Sequence, residues 1–409
     1  MDVVITGERR INRCNFFITL YLYAVLITDC FRQLLAILGL TTGDSIVELV
    51  RNLVYLFVFF GYYYYTNSRA RTMGLLSIGV YFIVLLISIL CTPQILDQSV
   101  TLTMLFVFRN LLGLVIVAQM EDPITVVRQV VKTAWIVPIY AFLFMIAPHD
   151  LSTGAAYSMS FSYNLLLPAM ACVISFYVLR EKSFFCLIIF IIALLGIVAY
   201  GSRGTILCIG IGAIYVVFFL KRDISIRNKV IKLICIIALL ILLYFFNDII
   251  TFLDSIFPES RTLLMLQNNN IFFDSGRDIY AELAKATLEE SPFHIFGLGG
   301  DTYYYSSNMG NEMNLGNHSH NLFRELLVSY GILFGGVLCI IIIFRIVISL
   351  RRAVNDPSMQ VLYALFLVPF LPYILISGST CQSFQYWLLI GAIMHRNIIL
   401  NKPLTKLQP

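Results

Sequence analysis

Hydrophobic positions in this chain fall into long unbroken runs rather than into strict alternation or amphipathic stripes, and a run of about twenty apolar residues is what a bilayer-crossing helix needs. About twelve such runs can be marked: 14–40, 46–65, 73–91, 102–119, 131–147, 160–179, 184–200, 205–220, 230–246, 326–348, 362–376 and 384–395. They predict an all-α, polytopic integral membrane protein with about twelve transmembrane helices. The pattern is broken at length only once. Residues 247–321 are polar and carry short helical signals, so they predict one large extracytoplasmic loop containing short helices. No repeat, low-complexity tract or linker divides the remainder, and residues 1–409 read as a single membrane domain with that loop inside it.

Composition agrees: 59% of the residues are hydrophobic, 12% are charged and the mean hydropathy is +0.86, outside the range of a soluble domain. The cations orient the chain. With one crossing per run and both termini cytoplasmic, 20 of the 28 Lys and Arg fall on the inner side. Arg32, Arg51 and Arg109 lie within runs, and only Arg203, Arg261, Arg277, Lys285 and Arg324 lie outside. That bias is the one the positive-inside rule asks for, and it puts the long loop on the outer face of a cytoplasmic membrane. Arg9, Arg10 and Arg13 precede a long first run without a small-residue cleavage site, so that helix is expected to remain in place. Most of the nine cysteines sit in apolar runs and none forms a CxxC pair, which gives neither a metal site nor a disulfide framework. The net charge of +5 restates the inner-face bias and does not imply nucleic acid. Tyr62 to Tyr65 and Tyr303 to Tyr305 read as aromatic belts at the headgroup level.

The candidate chemistry is concentrated on the outer side. From Asp248 to Glu325 there are eleven Asp and Glu against four Lys and Arg, so a general polyanion surface is excluded. Single arginines in an acidic setting suit a ligand with one or two localised negative groups, such as a diphosphate, which a guanidinium fork binds in bidentate fashion. Ser275 followed by Asp278 resembles a capping box. Ile279, Leu283 and Ala286 then give a helical stripe to about Glu290, with Pro292 ending it. Arg277 would lie in the first turn, at the positive end of the helix dipole; a surface pair with Asp274 or Asp278 is the alternative. Arg203, in Gly201-Ser202-Arg203-Gly204, can reach a headgroup or simply snorkel. Arg109 lies deeper in its run, where a charge needs a polar cavity or a partner. His318 and His320 form an H-x-H pair without a third ligand at convincing spacing, so the reading is metal-free. A free imidazole suits general-base work near neutral pH. If the next helix begins at about His320, Arg324 follows one turn later on the same face.

These residues carry a family resemblance. Ser202-Arg203-Gly204, Ser275-Gly276-Arg277-Asp278-Ile279-Tyr280, Pro292 with Gly297-Leu298-Gly299, and His320-Asn321 followed by Glu325 and Gly331 together resemble the O-antigen polymerase and O-antigen ligase superfamily, the Wzy and WaaL type of bacterial membrane glycosyltransferases. The likeness covers about 201–336. The first half is similar only in topology and in Met159-Ser160-Phe161-Ser162-Tyr163-Asn164. In the ligase pattern a Gly, Thr or Tyr stands three residues after Gly331. Here Phe334 occupies that place with Gly335 after it, and Arg324 stands where an apolar residue is usual.

The resemblance implies an enzyme without cofactor that transfers glycan from an undecaprenyl-diphosphate donor to a sugar hydroxyl at the outer leaflet of the inner membrane. It further implies a lipid-linked acceptor and a chain-length regulator as a partner. His320 would be the base, Arg277 and Arg203 would hold the diphosphate, and Arg324, His318 and Arg109 would be further substrate contacts. The departures at Phe334 and Arg324 favour the polymerase of O-antigen, capsule or exopolysaccharide repeats over the ligase that uses lipid A core as acceptor. A transporter or flippase of lipid-linked sugars is the competing class. Transporters more often show repeats and charges near the midplane, whereas here the polar residues collect on one face.

Overall fold

The computed structural model describes residues 2–40, 43–147, 158–220, 226–258, 260–267, 277–308, 310, 318–354, 356–376, 379–381 and 383–395, with the side chains of 2–8, 43–44, 227, 239, 242–243 and 277 left out. Among these residues the fold is all-α, as a bilayer demands of a chain whose backbone N–H and C=O groups find no water there. Each of the twelve apolar runs overlaps a helix, but not every one has the length and apolarity of a span. Eight do: Arg9–Ile37, Ser45–Tyr65, Ser68–Cys91, Pro93–Ala118, Met159–Leu179, Ser183–Tyr200, Leu322–Ala353 and Pro357–Ile376. A ninth is the pair Pro123–Thr133 and Ile136–Ile146, bent by 46°.

The difference from about twelve lies in three helices. Arg203–Phe219 and Phe384–Met394 are apolar but short. Ile226–Tyr244 carries Arg227, Lys229 and Lys232 in its first turns.

Burial sorts the spans into layers. Met159–Leu179 and Pro357–Ile376 are 72% and 83% buried and form the centre with Arg9–Ile37, whereas Ser68–Cys91 and Leu322–Ala353 are 22% and 17% buried and present Leu, Ile and Phe outward. Such apolar exposure is what lipid-facing helices require.

Hydrogen bonds define two ends. At one, Arg10 Nη2 donates to both oxygens of Glu121 at 3.0 and 2.9 Å, Asn67 Nδ2 donates to Glu121 at 2.8 Å, and Arg128 binds Glu181 through Nε and Nη2 at 2.8 to 3.1 Å. At the other, Ser158 N–H donates to Tyr200 O, Thr262 Oγ1 to Gly201 O, and Thr92 Oγ1 to Phe296 O. The polar segment joins this second end. Its described helices are Phe246–Ile256, Arg261–Gln267, Arg277–Glu290 and Gly300–Asn308.

Candidate functional site

The segment from Pro292 to Gly299 docks on a break in the long helix that follows it. Gly331 has φ +71° and ψ 170° inside Leu322–Ala353, which turns Ser329 O and Ile332 N–H away from the helical ladder. Ser329 O then accepts from Phe296 N–H and Gly297 N–H at 2.9 and 2.8 Å, and Ile332 N–H donates to Pro292 O at 2.8 Å. A Cβ at Gly331 would lie 3.0 Å from His294 O and would demand a left-handed L-residue as well, so only glycine fits. Phe334, the departure from the ligase pattern, is exposed. The glycine after it is the constrained one, since a Cβ at Gly335 would lie 2.4 Å from Leu326 O.

Asn321 caps the helix, with Oδ1 accepting from Arg324 N–H at 3.1 Å, and the first helical residue is Leu322. His320 therefore precedes the helix instead of opening it. Its backbone is left-handed at φ +52°, an unusual state for a non-glycine residue that stores strain and recurs at functional sites. The expected alignment of His320 and Arg324 on one helical face is corrected accordingly: they are joined through the cap. The His318 ring lies 4.1 Å from that of His320, and Tyr280 meets His320 edge-on at 5.8 Å.

Tyr280 comes from the helix described as Arg277–Glu290. Ser275 and the Arg277 side chain lie outside what is described. The face turned inward is Tyr280, Leu283, Ala284 and Thr287; of the expected stripe Leu283 packs there and Ala286 is half-buried, whereas Ile279 is exposed. Tyr280 also meets Tyr305 at 5.2 Å. Tyr305 is fully buried rather than belt-like, and its hydroxyl has no hydrogen-bond partner among the described residues. Burial first, and the nearby Asp301 carboxylate next, push the Tyr305 phenol upward, while the Arg324 charge opposes them, so Arg324 is within electrostatic reach of this ring.

Two buried acids lie beneath. Asp301 Oδ2 accepts from Ser319 N–H at 3.4 Å, Oδ1 accepts from Thr302 Oγ1 at 3.4 Å, and its own N–H donates to Ser329 Oγ at 3.2 Å. Burial pushes its carboxyl up to about 7, against the lowering effect of those N–H donors. Glu325 accepts from Thr380 N–H at 2.9 Å on both oxygens and is hydrogen-bonded to the Thr380 hydroxyl. The Thr380 turn is fixed in its turn by Trp387 Nε1 on Thr380 O at 2.8 Å and Asn110 Nδ2 on Cys381 O at 2.9 Å. Sequence reading gave Asp301 no role, used Tyr280 and Glu325 only as members of the family motifs, and took Tyr305 for part of an aromatic belt. The detectable signal was an acid directly after Gly299-Gly300 and another four residues after Asn321.

Arg203 is the first residue of the helix Arg203–Ile214, which Ser202 caps through Thr205 N–H at 3.3 Å. Ser162, from the fragment 159–164, ties into that cap through Ser202 and Thr205. Gly204 faces Ile376, where a Cβ would meet the side chain at 2.9 Å, and Asn321 Nδ2 donates to Leu375 O at 3.1 Å. The starts of both helices thus converge on 375–376, which brings Arg203 to the end that holds His320 and Arg277. Arg109 precedes Asn110, which holds the Thr380 turn: in the π-helical turn Phe106–Leu111 its carbonyl accepts from Tyr21 Oη at 2.6 Å and its guanidinium lies 5.2 Å from the Phe384 ring.

A multi-span membrane protein with buried acids and a histidine pair at one end of the bundle, beside a polar segment of short helices, is the class that fold and site define. Within it, residues 188–340, the segment containing Arg203, Arg277 and His320, match the model of the family described as O-antigen ligase (Wzy_C). No curated protein and no solved structure matches the chain.

Proposed function

We propose that this protein is a glycosyltransferase of the bacterial inner membrane that moves a glycan from a polyprenyl-diphosphate carrier to a sugar hydroxyl at the outer leaflet. The observation that carries the reading is the convergence of Arg203, the Arg277 helix start and His320 on one end of the molecule. His320 takes the proton of the attacking hydroxyl. Arg203 and Arg277 hold the diphosphate and stabilise the negative charge that grows on it as the glycosidic bond breaks. Attack from the face opposite the leaving diphosphate inverts the anomeric centre. Arg324, His318 and the unbonded Tyr305 hydroxyl are contacts for the sugar or its carrier. Arginine forks supply the charge stabilisation, so the scheme calls for no metal or cofactor.

The family description names the ligase, and for that reason the lipid A core stands first as acceptor, ahead of the polymerase that the departures in sequence favour. Phe334 keeps the polymerase as the second reading, in which another lipid-linked repeat unit is the acceptor. Purified protein supplied with lipid-linked repeat units, with and without lipid A core, tests both. Product formed only on the core marks a ligase, and a ladder of longer lipid-linked glycans from donor alone marks a polymerase. If neither appears from a folded, reconstituted protein, the transfer reading fails.

A further inference from the structure

Beginning at the Thr380 turn, a cavity of about 740 Å³ runs between two helices little covered by protein, Ser68–Cys91 and Leu322–Ala353. Along the first, Arg69, Thr72, Leu76, Val80 and Val84 line it at helical spacing, a stretch of about 22 Å at 1.5 Å per residue. Along the second, Leu326, Leu338, Ile342 and Arg345 face the same space. Leu111, Leu114, Tyr386 and Met394 form the floor. The length matches one headgroup layer plus one leaflet of a hydrocarbon core about 30 Å thick.

The groove is polarised. Both of its cations, Arg69 and Arg345, stand at one end, and no acid lines it among the described residues. That end is fixed by neighbours: Asn67, two residues before Arg69, is bonded to Glu121, and Ser349, four after Arg345, donates to Ile393 O. It is the end opposite His320, the cytoplasmic one in the topology proposed from the cations. The other end is closed by Leu298, Tyr330 and Thr380 and carries no cation.

We infer that this groove is a binding site for an anionic phospholipid of the inner leaflet, with its phosphate between Arg69 and Arg345 and an acyl chain along the Leu76 to Val84 stripe. Charge complementarity selects the occupant. A polyprenyl-diphosphate donor serving His320 would place its diphosphate at the opposite end, with Arg203 and Arg277, and would leave Arg69 and Arg345 without an anion, whereas an inner-leaflet phosphate meets these two guanidinium groups from helices far apart in sequence. The N-terminus of the Ser68–Cys91 helix adds its positive dipole end to the same point. Snorkelling alone accounts for one interfacial arginine. It does not account for two that line one cavity from separate helices.

Native mass spectrometry of the delipidated full chain, titrated with phosphatidylglycerol or phosphatidylcholine of identical acyl chains, tests the assignment without reference to activity. Phosphatidylglycerol should bind more tightly by about thirtyfold, the weight of two interfacial cations. Arg69→Gln with Arg345→Gln should bring the two lipids to parity, while Arg69→Lys with Arg345→Lys keeps the preference; an unchanged melting temperature confirms that each variant is folded. Leu338→Trp, which fills the groove, should weaken both lipids. Equal binding of the two lipids by the native chain overturns the inference, as does a preference that survives the double glutamine exchange. Displacement of phosphatidylglycerol by polyprenyl phosphate with equal strength in the native and double-glutamine proteins also overturns it, and would assign the groove to the donor's tail while leaving the transfer reading intact.

Discussion

The two ends of the bundle treat carboxylates in opposite ways. At the Arg10 end, Glu121 and Glu181 each receive an arginine, in two-point geometry, and Asn67 completes the Glu121 site. At the His320 end, Asp301 and Glu325 are more deeply buried and accept from backbone N–H and hydroxyl donors, beside a tyrosine hydroxyl without a partner among the described residues and a histidine in a left-handed backbone. The first arrangement neutralises charge where the chain meets the headgroups. The second leaves acids, strain and an unmet donor close together, which costs stability and persists where a ligand site needs it. Stability and chemistry are therefore divided between the ends.

The comparison is most sharply broken by backbone geometry. Gly331→Ala puts an L-residue at φ +71° with its Cβ 3.0 Å from His294 O, and should cost about 1–3 kcal/mol by the usual weight of such strain. Gly336→Ala, five residues on with nothing within 4 Å of its Cβ, is the matched control and should be neutral or slightly stabilising. Thermal unfolding of the two in detergent reads the contrast directly; equal melting temperatures would mean that the break at Gly331 does not hold the site together.

The ends are also separated by pH. Burial raises Asp301 from its ordinary 3.8 to about 7, so the folded chain keeps this proton after the unfolded chain has released it. The contribution is thus most favourable below about 4 and is lost progressively as pH rises toward 7. Asp301→Asn does not titrate. Its melting temperature relative to the native chain should rise between pH 4 and pH 7 and then level off; a difference that is flat in pH would place the Asp301 carboxyl in contact with water.

The smallest change is expected at the other end. Arg128 and Glu181 are each more than a third exposed, and screened pairs of this kind contribute about 0.2–1 kcal/mol. Arg128→Gln should lower stability by no more than that and leave glycan transfer unchanged. A large loss of transfer would tie the two ends together functionally.

How much of this was legible depended on the length scale of the signal. Apolar runs announce helices because the bilayer imposes their composition, and each marked run overlaps one; whether a run crosses depends on capping and on flanking charge, as with Lys229 and Lys232 in Ile226–Tyr244. The helix Arg277–Glu290 could be read because apolar spacing and the Pro292 stop act within a few turns of one another. The register of His320 could not, because Asn321 takes the cap and pushes the helix start two residues on. Asp301 and Glu325 were hidden for a different reason. Their burial is made by Ser319, Ser329 and Thr380, which the fold supplies from distant positions.

Donor binding and transfer, followed side by side in reconstituted vesicles for the native chain, Arg203→Ala, Arg277→Ala and His320→Ala, bear most directly on the central claim that the His320 end is a transfer site. The account predicts that the arginine variants lose affinity for polyprenyl-diphosphate-linked donor, and that Arg277→Lys restores it only in part because the fork is lost. His320→Ala should bind donor nearly as the native chain does and turn over about 10²-fold more slowly, the usual weight of a positioned base. Native rates of transfer from His320→Ala, or normal binding and transfer from both arginine→alanine variants, would contradict it.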